Sequence, residues 1–142
     1  MEQTQIFSPV YAMMFLTMIV WIYMYAKRIP FINSLELEPN QLTPAALSRL
    51  SPPSVSNPSD NLKNLFEVPL IFYVSALVLY ATNQVDGFYL WASWVFVIFR
   101  VLHSAVHCTI NIVMLRFSLY AISCASLFVI LFRATFVHFI NG

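Results

Sequence analysis

Apolar residues run almost without interruption from Phe7 to Ala26 and stop at Lys27-Arg28-Ile29-Pro30. A helix needs about 20 such residues to cross the hydrocarbon of a bilayer, so this run predicts a first span. No basic side chain precedes it, so it reads as a retained span and not as a cleavable leader. Over residues 27–57 the pattern lapses into prolines, serines and asparagines, which predicts a long polar loop with a short helical piece over Pro44–Leu50. A second span is predicted over residues 60–83: Asn57 is placed to cap it, Pro58 suits the first helical position, and Asp60 falls in the first turn. Asp86-Gly87 marks a tight turn. Phe88 to Ile140 then stays apolar with no glycine or proline. As one helix that segment would be about 80 Å long, over twice the bilayer thickness, so it must fold back. The break is expected near Met114, between Asn111 and Arg116, giving spans over about 88–110 and 115–140.

Composition agrees with four spans. The 142 residues are 60% apolar and only 9% charged, too few charges to wet a soluble surface. A net charge of +1 excludes a basic field for nucleic acid, and two glycines exclude a Gly-rich phosphate loop. Cys108 and Cys124 both lie in apolar runs, so they read as small buried hydrophobes and neither a disulfide framework nor a structural zinc site is predicted. Lys27, Arg28, Arg49 and Lys63 lie in or beside the first loop, Arg116 lies in the third, and the second has no Lys or Arg. The positive-inside rule then turns both termini away from the cytoplasm. Arg133 and His138 are left to snorkel at the outer face, where Tyr89, Trp91 and Trp94 suit an aromatic belt.

Polar residues inside the spans are the candidate chemistry, because the membrane makes them expensive. At about 100° per residue, Asn57, Asp60, Asn64 and Glu67 share one face of span two. Arg100, His103, His107 and Asn111 share one face of span three, and Arg116 and Tyr120 share one face of span four. All fall in the cytoplasmic half, where Glu67 and Arg100 reach similar depth and are expected to pair. The histidines at i and i+4 could ligate a metal with Glu67 as third ligand, but the Arg100 cation opposes that, and no metal is predicted. The histidines could otherwise hold helices together by hydrogen bonds.

The segment Asp60-Asn61-Leu62-Lys63-Asn64-Leu65-Phe66-Glu67-Val68-Pro69, then Arg100-x-x-His103-x-x-x-His107, then Arg116-x-x-x-Tyr120, resembles the MAPEG family. These are the membrane-associated proteins in eicosanoid and glutathione metabolism, and the chain is most similar to their bacterial branch. The resemblance implies an all-α, four-helix membrane bundle assembled as a homotrimer, here in a bacterial inner membrane. It implies glutathione as cosubstrate, bound between subunits in the cytoplasmic half. Arg116 and Tyr120 would be catalytic, with the guanidinium beside the thiol. Lys63, Asn64, Glu67, Arg100, His103 and His107 would hold the tripeptide. A lipophilic electrophile would arrive through the lipid.

The chain also departs from the family pattern. Lys63 stands where members have an arginine opening the pocket, His107 where they have a tyrosine, and Ile112 where they have a further arginine. Some members bind lipid without catalysis. Two other functions therefore stand beside a glutathione-dependent transferase or peroxidase. One is a non-catalytic lipid-binding or scaffold protein. The other is a proton- or ion-linked role for Glu67, Arg100 and His103, which the absence of an internal repeat disfavours.

Overall fold

The structure, a computed structural model, describes residues 2–141 and is helical throughout its ordered elements. A 3-10 turn, Gln3–Ile6, leads into α1, Phe7–Ser34. A 3-10 turn at Pro39–Gln41 and α2, Pro44–Leu50, follow. Then come α3, Pro53–Leu65; α4, Val68–Ala81; α5, Gly87–Cys108; and α6, Val113–Asn141. Four segments are long and apolar enough to span a membrane: Gln3–Ser34, Pro53–Ala81, Gly87–Cys108 and Val113–Ile140. The four expected spans are present, and α2 falls where the sequence placed it.

Three boundaries differ from expectation. Helix α1 runs through Lys27-Arg28-Ile29-Pro30 to Ser34. Pro30 removes one ladder hydrogen bond, to the Ala26 carbonyl, but it lies four residues from the end of α1, so only the last turn follows the interruption. Span two starts earlier, with Pro52 as N-cap and Pro53 at the first position, so Pro58 lies inside α3 and Asn57 does not cap it. Span two is also broken. Pro69 has no N–H to give Leu65, and its ring collides with that carbonyl in a continuous helix. The backbone therefore leaves the helix at Phe66 and Glu67, with Glu67 at φ −96°, ψ −97°, and re-enters it as α4.

The two reversals between long helices are built on asparagine. Asn83 takes φ 54° and Asn111 takes φ 47°, the left-handed region that asparagine tolerates better than other L residues. At the first, the Gln84 N–H donates back to the Leu79 carbonyl at 2.9 Å, closing the end of α4. The reversal thus precedes Asp86-Gly87, and Asp86 instead caps α5, accepting from the Tyr89 N–H at 3.0 Å. At the second, the Asn111 N–H donates to the Val106 carbonyl at 2.8 Å, so the break falls at Thr109–Ile112, just before Met114.

Helices α5 and α6 pack as an antiparallel pair, and α1 lies across α3 and α5. Met13, Leu16 and Val20 of α1 meet Leu65, Phe72, Phe96, Val97 and Leu127 in the main core. The Phe72 and Phe96 rings stack there at 4.6 Å. Outward faces remain apolar: Phe132, Phe136 and Phe139 are 76%, 67% and 80% exposed, as lipid-facing positions should be.

The Asp86 end of the bundle is held by polar contacts. Gln3 exchanges two hydrogen bonds with the Val85 backbone, at 3.1 and 2.9 Å, tying the start of α1 to the turn before α5. Arg133 does not snorkel alone. Its guanidinium donates to both Asp86 carboxylate oxygens and lies 4.8 and 4.4 Å from the ring centroids of Phe88 and Tyr89. Tyr89 is consequently buried under it, outside the expected aromatic belt, whereas Trp91 and Trp94 are exposed.

The hydrogen bonds from Arg133 hold the Asp86 carboxyl below the usual carboxylate range. A depressed folded value means the pair stabilises the fold above the ordinary carboxylate range and loses that contribution as pH falls through the folded value. Both groups are partly exposed, so the contribution is roughly 1 kcal/mol or less. Thermal unfolding in detergent should show Asp86→Asn less stable than wild type at neutral pH, with the gap closing on acidification. A gap unchanged at low pH would contradict the pairing.

Candidate functional site

The expected stripe on span three is real. Arg100, His103 and His107 are all buried on the inward face of α5, 0%, 3% and 4% exposed. Two contacts set the register of α5 against α6: Ser126 Oγ donates to the Ala92 carbonyl at 2.7 Å, and His103 Nδ1 lies 2.8 Å from the Arg116 carbonyl. A carbonyl can only accept, so His103 carries its proton on Nδ1, and in the neutral ring Nε2 is left as an acceptor.

That register brings His103 against Tyr120, ring centroids 5.7 Å apart, while helical spacing sets His107 one turn along α5, 5.5 Å away and edge-on. The Arg116 side chain is tethered as well. Its Nη1 donates to Asn111 Oδ1 at 2.7 Å, and Asn111 Nδ2 donates to Asn57 Oδ1 at 3.1 Å. The two asparagines expected at the ends of the stripes therefore meet. They link α3, the α5–α6 turn and the first turn of α6. Together Asn64, His103, His107, Val113, Arg116, Phe117 and Tyr120 line a pocket of about 260 Å³. Its wall includes two side chains with unpartnered buried nitrogens, His103 Nε2 and His107 Nδ1.

Three expected site residues lie elsewhere. Arg100 does not line this pocket. It is enclosed behind Tyr120, its guanidinium carbon 4.7 Å from that ring centroid and 5.5 Å from the Phe96 centroid, and none of its three nitrogens has a hydrogen-bond partner. Glu67 is exposed at the α3–α4 break and forms no ion pair with Arg100. The expected pair fails because Pro69 breaks the helix there and rotates Glu67 off the face it would hold in a straight span. Lys63 points away too, its ammonium 2.9 Å from Asp60 and its side chain 71% exposed. Both Lys63 and Glu67 line a separate cleft against α1.

The sequence reading also missed Asn61. It is wholly buried, donating to Cys108 Sγ at 3.4 Å and accepting from Ser104 Oγ at 3.3 Å, and so fastens α3 to α5 beside the pocket. Its position on the same helix face as Leu65 and Pro58, four residues before one and three after the other, was the available signal.

The left-handed Asn111 both turns the chain and tethers Arg116, and two variants separate these roles. Asn111→Ala and Asn111→Gly each lose the tether, but only alanine also bears the left-handed backbone, at about 1 kcal/mol. Glycine should therefore leave the detergent-solubilised protein measurably more heat-stable than alanine. Equal melting temperatures would show that the turn does not constrain the site.

Among known proteins, the model of the MAPEG family matches residues 6–136. No curated relative and no solved structure matches the chain.

Proposed function

This chain belongs to the MAPEG family, and we propose that it is a glutathione-dependent membrane transferase or peroxidase acting on a lipophilic electrophile. The observation that supports this most is a tethered arginine at the rim of a histidine-walled pocket between α5 and α6. A free thiol has a pKa near 8.5 and is mostly protonated at neutral pH. The Arg116 guanidinium, held by Asn111, is fixed where it can favour the thiolate, which is the nucleophile. Tyr120 supplies a hydroxyl donor on the same face. Asn64 offers an amide, and His103 Nε2 an acceptor for an ammonium.

The residues present fit part of the tripeptide. Glutathione has two carboxylates, whereas the pocket of one chain is lined by one cation, Arg116. A neighbouring subunit of a homotrimer would supply the rest, and a site closed between subunits also removes a polar opening from lipid. Arg100 then acts from behind Tyr120 as a fixed positive charge and does not touch the tripeptide. In this reading the protein sits in a bacterial inner membrane with both termini facing away from the cytoplasm and the site in the cytoplasmic half.

Two observations favour a second reading, a non-catalytic lipid-binding protein of the same fold. Lys63 is committed to Asp60, and the exposed turn residue Ile112 brings no cation to the pocket.

Turnover of reconstituted protein with glutathione and a hydrophobic aryl halide separates the two. Arg116→Ala should lower kcat/KM on the order of a hundredfold, as loss of a transition-state charge donor does. Arg116→Lys should retain an intermediate rate. Wild-type turnover in Arg116→Ala would reject Arg116 as the thiol activator, and no turnover in any form would reject the catalytic reading. Native mass spectrometry in mild detergent should give a trimer, and a monomeric mass would remove the shared site.

A further inference from the structure

Arg100 stands where an apolar side chain would pack at less cost. It is wholly buried, and none of its three guanidinium nitrogens has a hydrogen-bond partner. Elsewhere the chain matches cations to carboxylates, Arg133 to Asp86 and Lys63 to Asp60. Among the described residues, no carboxylate lies within ion-pairing distance of Arg100. Its neighbours are aromatic: the guanidinium carbon lies 5.5 Å from the Phe96 ring centroid and 4.7 Å from that of Tyr120. An uncompensated cation in a low-dielectric interior sets a strong positive potential on whatever touches it. Phe96 has no polar atom to respond. Cys124, one turn beyond Tyr120 on α6, also lies near the guanidinium but is not part of the pocket wall. Tyr120 alone connects the two, with Arg100 behind its ring and the α5–α6 pocket in front.

The consequence is chemical. A cation behind a phenol stabilises the negative charge that the phenol takes on as its proton leaves, and so makes the hydroxyl a better donor. The pocket wall then carries two positive features with different tasks. Arg116 is tethered by Asn111 at 2.7 Å and is assigned to the thiol. Tyr120, one turn further along α6, is left for the other reactant. An electrophile that expels a halide has little use for a proton donor. One that builds negative charge on oxygen gains directly from it. Val113 and Phe117 supply apolar wall beside the hydroxyl.

Resting on the transferase reading above, we propose that Tyr120 is the catalytic donor to an oxyanion that forms on the electrophile, that Arg100 is the positioning residue that pins and polarises it, and that the preferred substrates are apolar α,β-unsaturated carbonyl compounds. The glutathione sulfur, as thiolate, forms a bond to the β-carbon. The carbon–carbon π bond breaks, and its electron pair moves onto the carbonyl oxygen. Tyr120 gives its proton to that oxygen, and the enol returns to the carbonyl form. The phenolate, stabilised meanwhile by Arg100, regains a proton from water, which had taken the proton of the thiol. No oxidant and no leaving group is required.

Two measurements test this. The first compares kcat/KM for a long-chain enone and for a hydrophobic aryl halide, with glutathione and reconstituted protein. Tyr120→Phe should lower the enone-to-halide ratio on the order of a hundredfold, as loss of one oxyanion donor does. Arg100→Met exchanges an unpaired buried charge for an apolar side chain and so should fold. It should lower the ratio about tenfold, and Arg100→Lys should restore part of it. Arg116→Ala should slow both substrates alike. A ratio unchanged by Tyr120→Phe or by Arg100→Met would overturn the role given to that residue. The second measurement needs no glutathione, so it separates failure of this proposal from failure of the transferase reading. The carbonyl stretching band of an isotope-labelled saturated long-chain ketone bound to the protein should lie at lower frequency than in lipid vesicles. Tyr120→Phe should abolish that shift, and Arg100→Met should reduce it. No shift in the wild type, or a shift that survives Tyr120→Phe, would overturn the proposal. Turnover of neither substrate beside a shift that depends on Tyr120 would reject the transferase reading and support the donor.

Discussion

Every polar group placed in hydrocarbon must find its partner within the protein, and this bundle is arranged around that constraint. Polar side chains are gathered at its two ends, with an apolar belt between. At one end Gln3 pairs with the Val85 backbone and Arg133 with Asp86. At the other, Asn57, Asn111, Arg116 and His103 form a connected chain, and Asn61 joins Ser104 and Cys108. Both ends use short backbone reversals on left-handed asparagines, which keep the turns tight and place side chains within reach of the next helix.

Arg100 is the exception that defines the candidate site. Its guanidinium is wholly buried and meets aromatic faces, Phe96 and Tyr120, instead of acceptors. Cation–π contact offsets part of the desolvation cost, commonly up to about 2 kcal/mol, while the full cost of an unpaired buried charge is several times larger. A single chain therefore carries an electrostatic debt at mid-depth, directly behind Tyr120. That debt is the physical ground for a partner or an anion drawn toward the α5–α6 pocket.

Much of this was legible in the sequence because it depends on periodicity. The four spans, the α2 piece and the Arg100-His103-His107 face follow from apolar runs and from 3.6-residue spacing. What the sequence hid depends on single residues acting against the pattern. Pro69 breaks span two and turns Glu67 outward, so a stripe drawn through a straight helix carried Glu67 to a place it does not occupy. Pro30 does the reverse, since a proline in the last turns of α1 interrupts little. Arg133 has no sequence neighbour of opposite charge, and its partner Asp86 lies 47 positions away. Family resemblance supplied the pocket residues Asn64, His103, His107, Arg116 and Tyr120 together, but not the separation of Lys63, Glu67 and Arg100 from them.

The central claim is that Arg116 holds a thiolate in the α5–α6 pocket. The most direct measurement is the ultraviolet thiolate absorbance of glutathione added to the reconstituted protein at neutral pH. The account predicts a saturable thiolate signal that Arg116→Ala abolishes while the protein remains folded. A wild-type protein that saturates with glutathione and shows no thiolate band, or a band that survives Arg116→Ala, would contradict it.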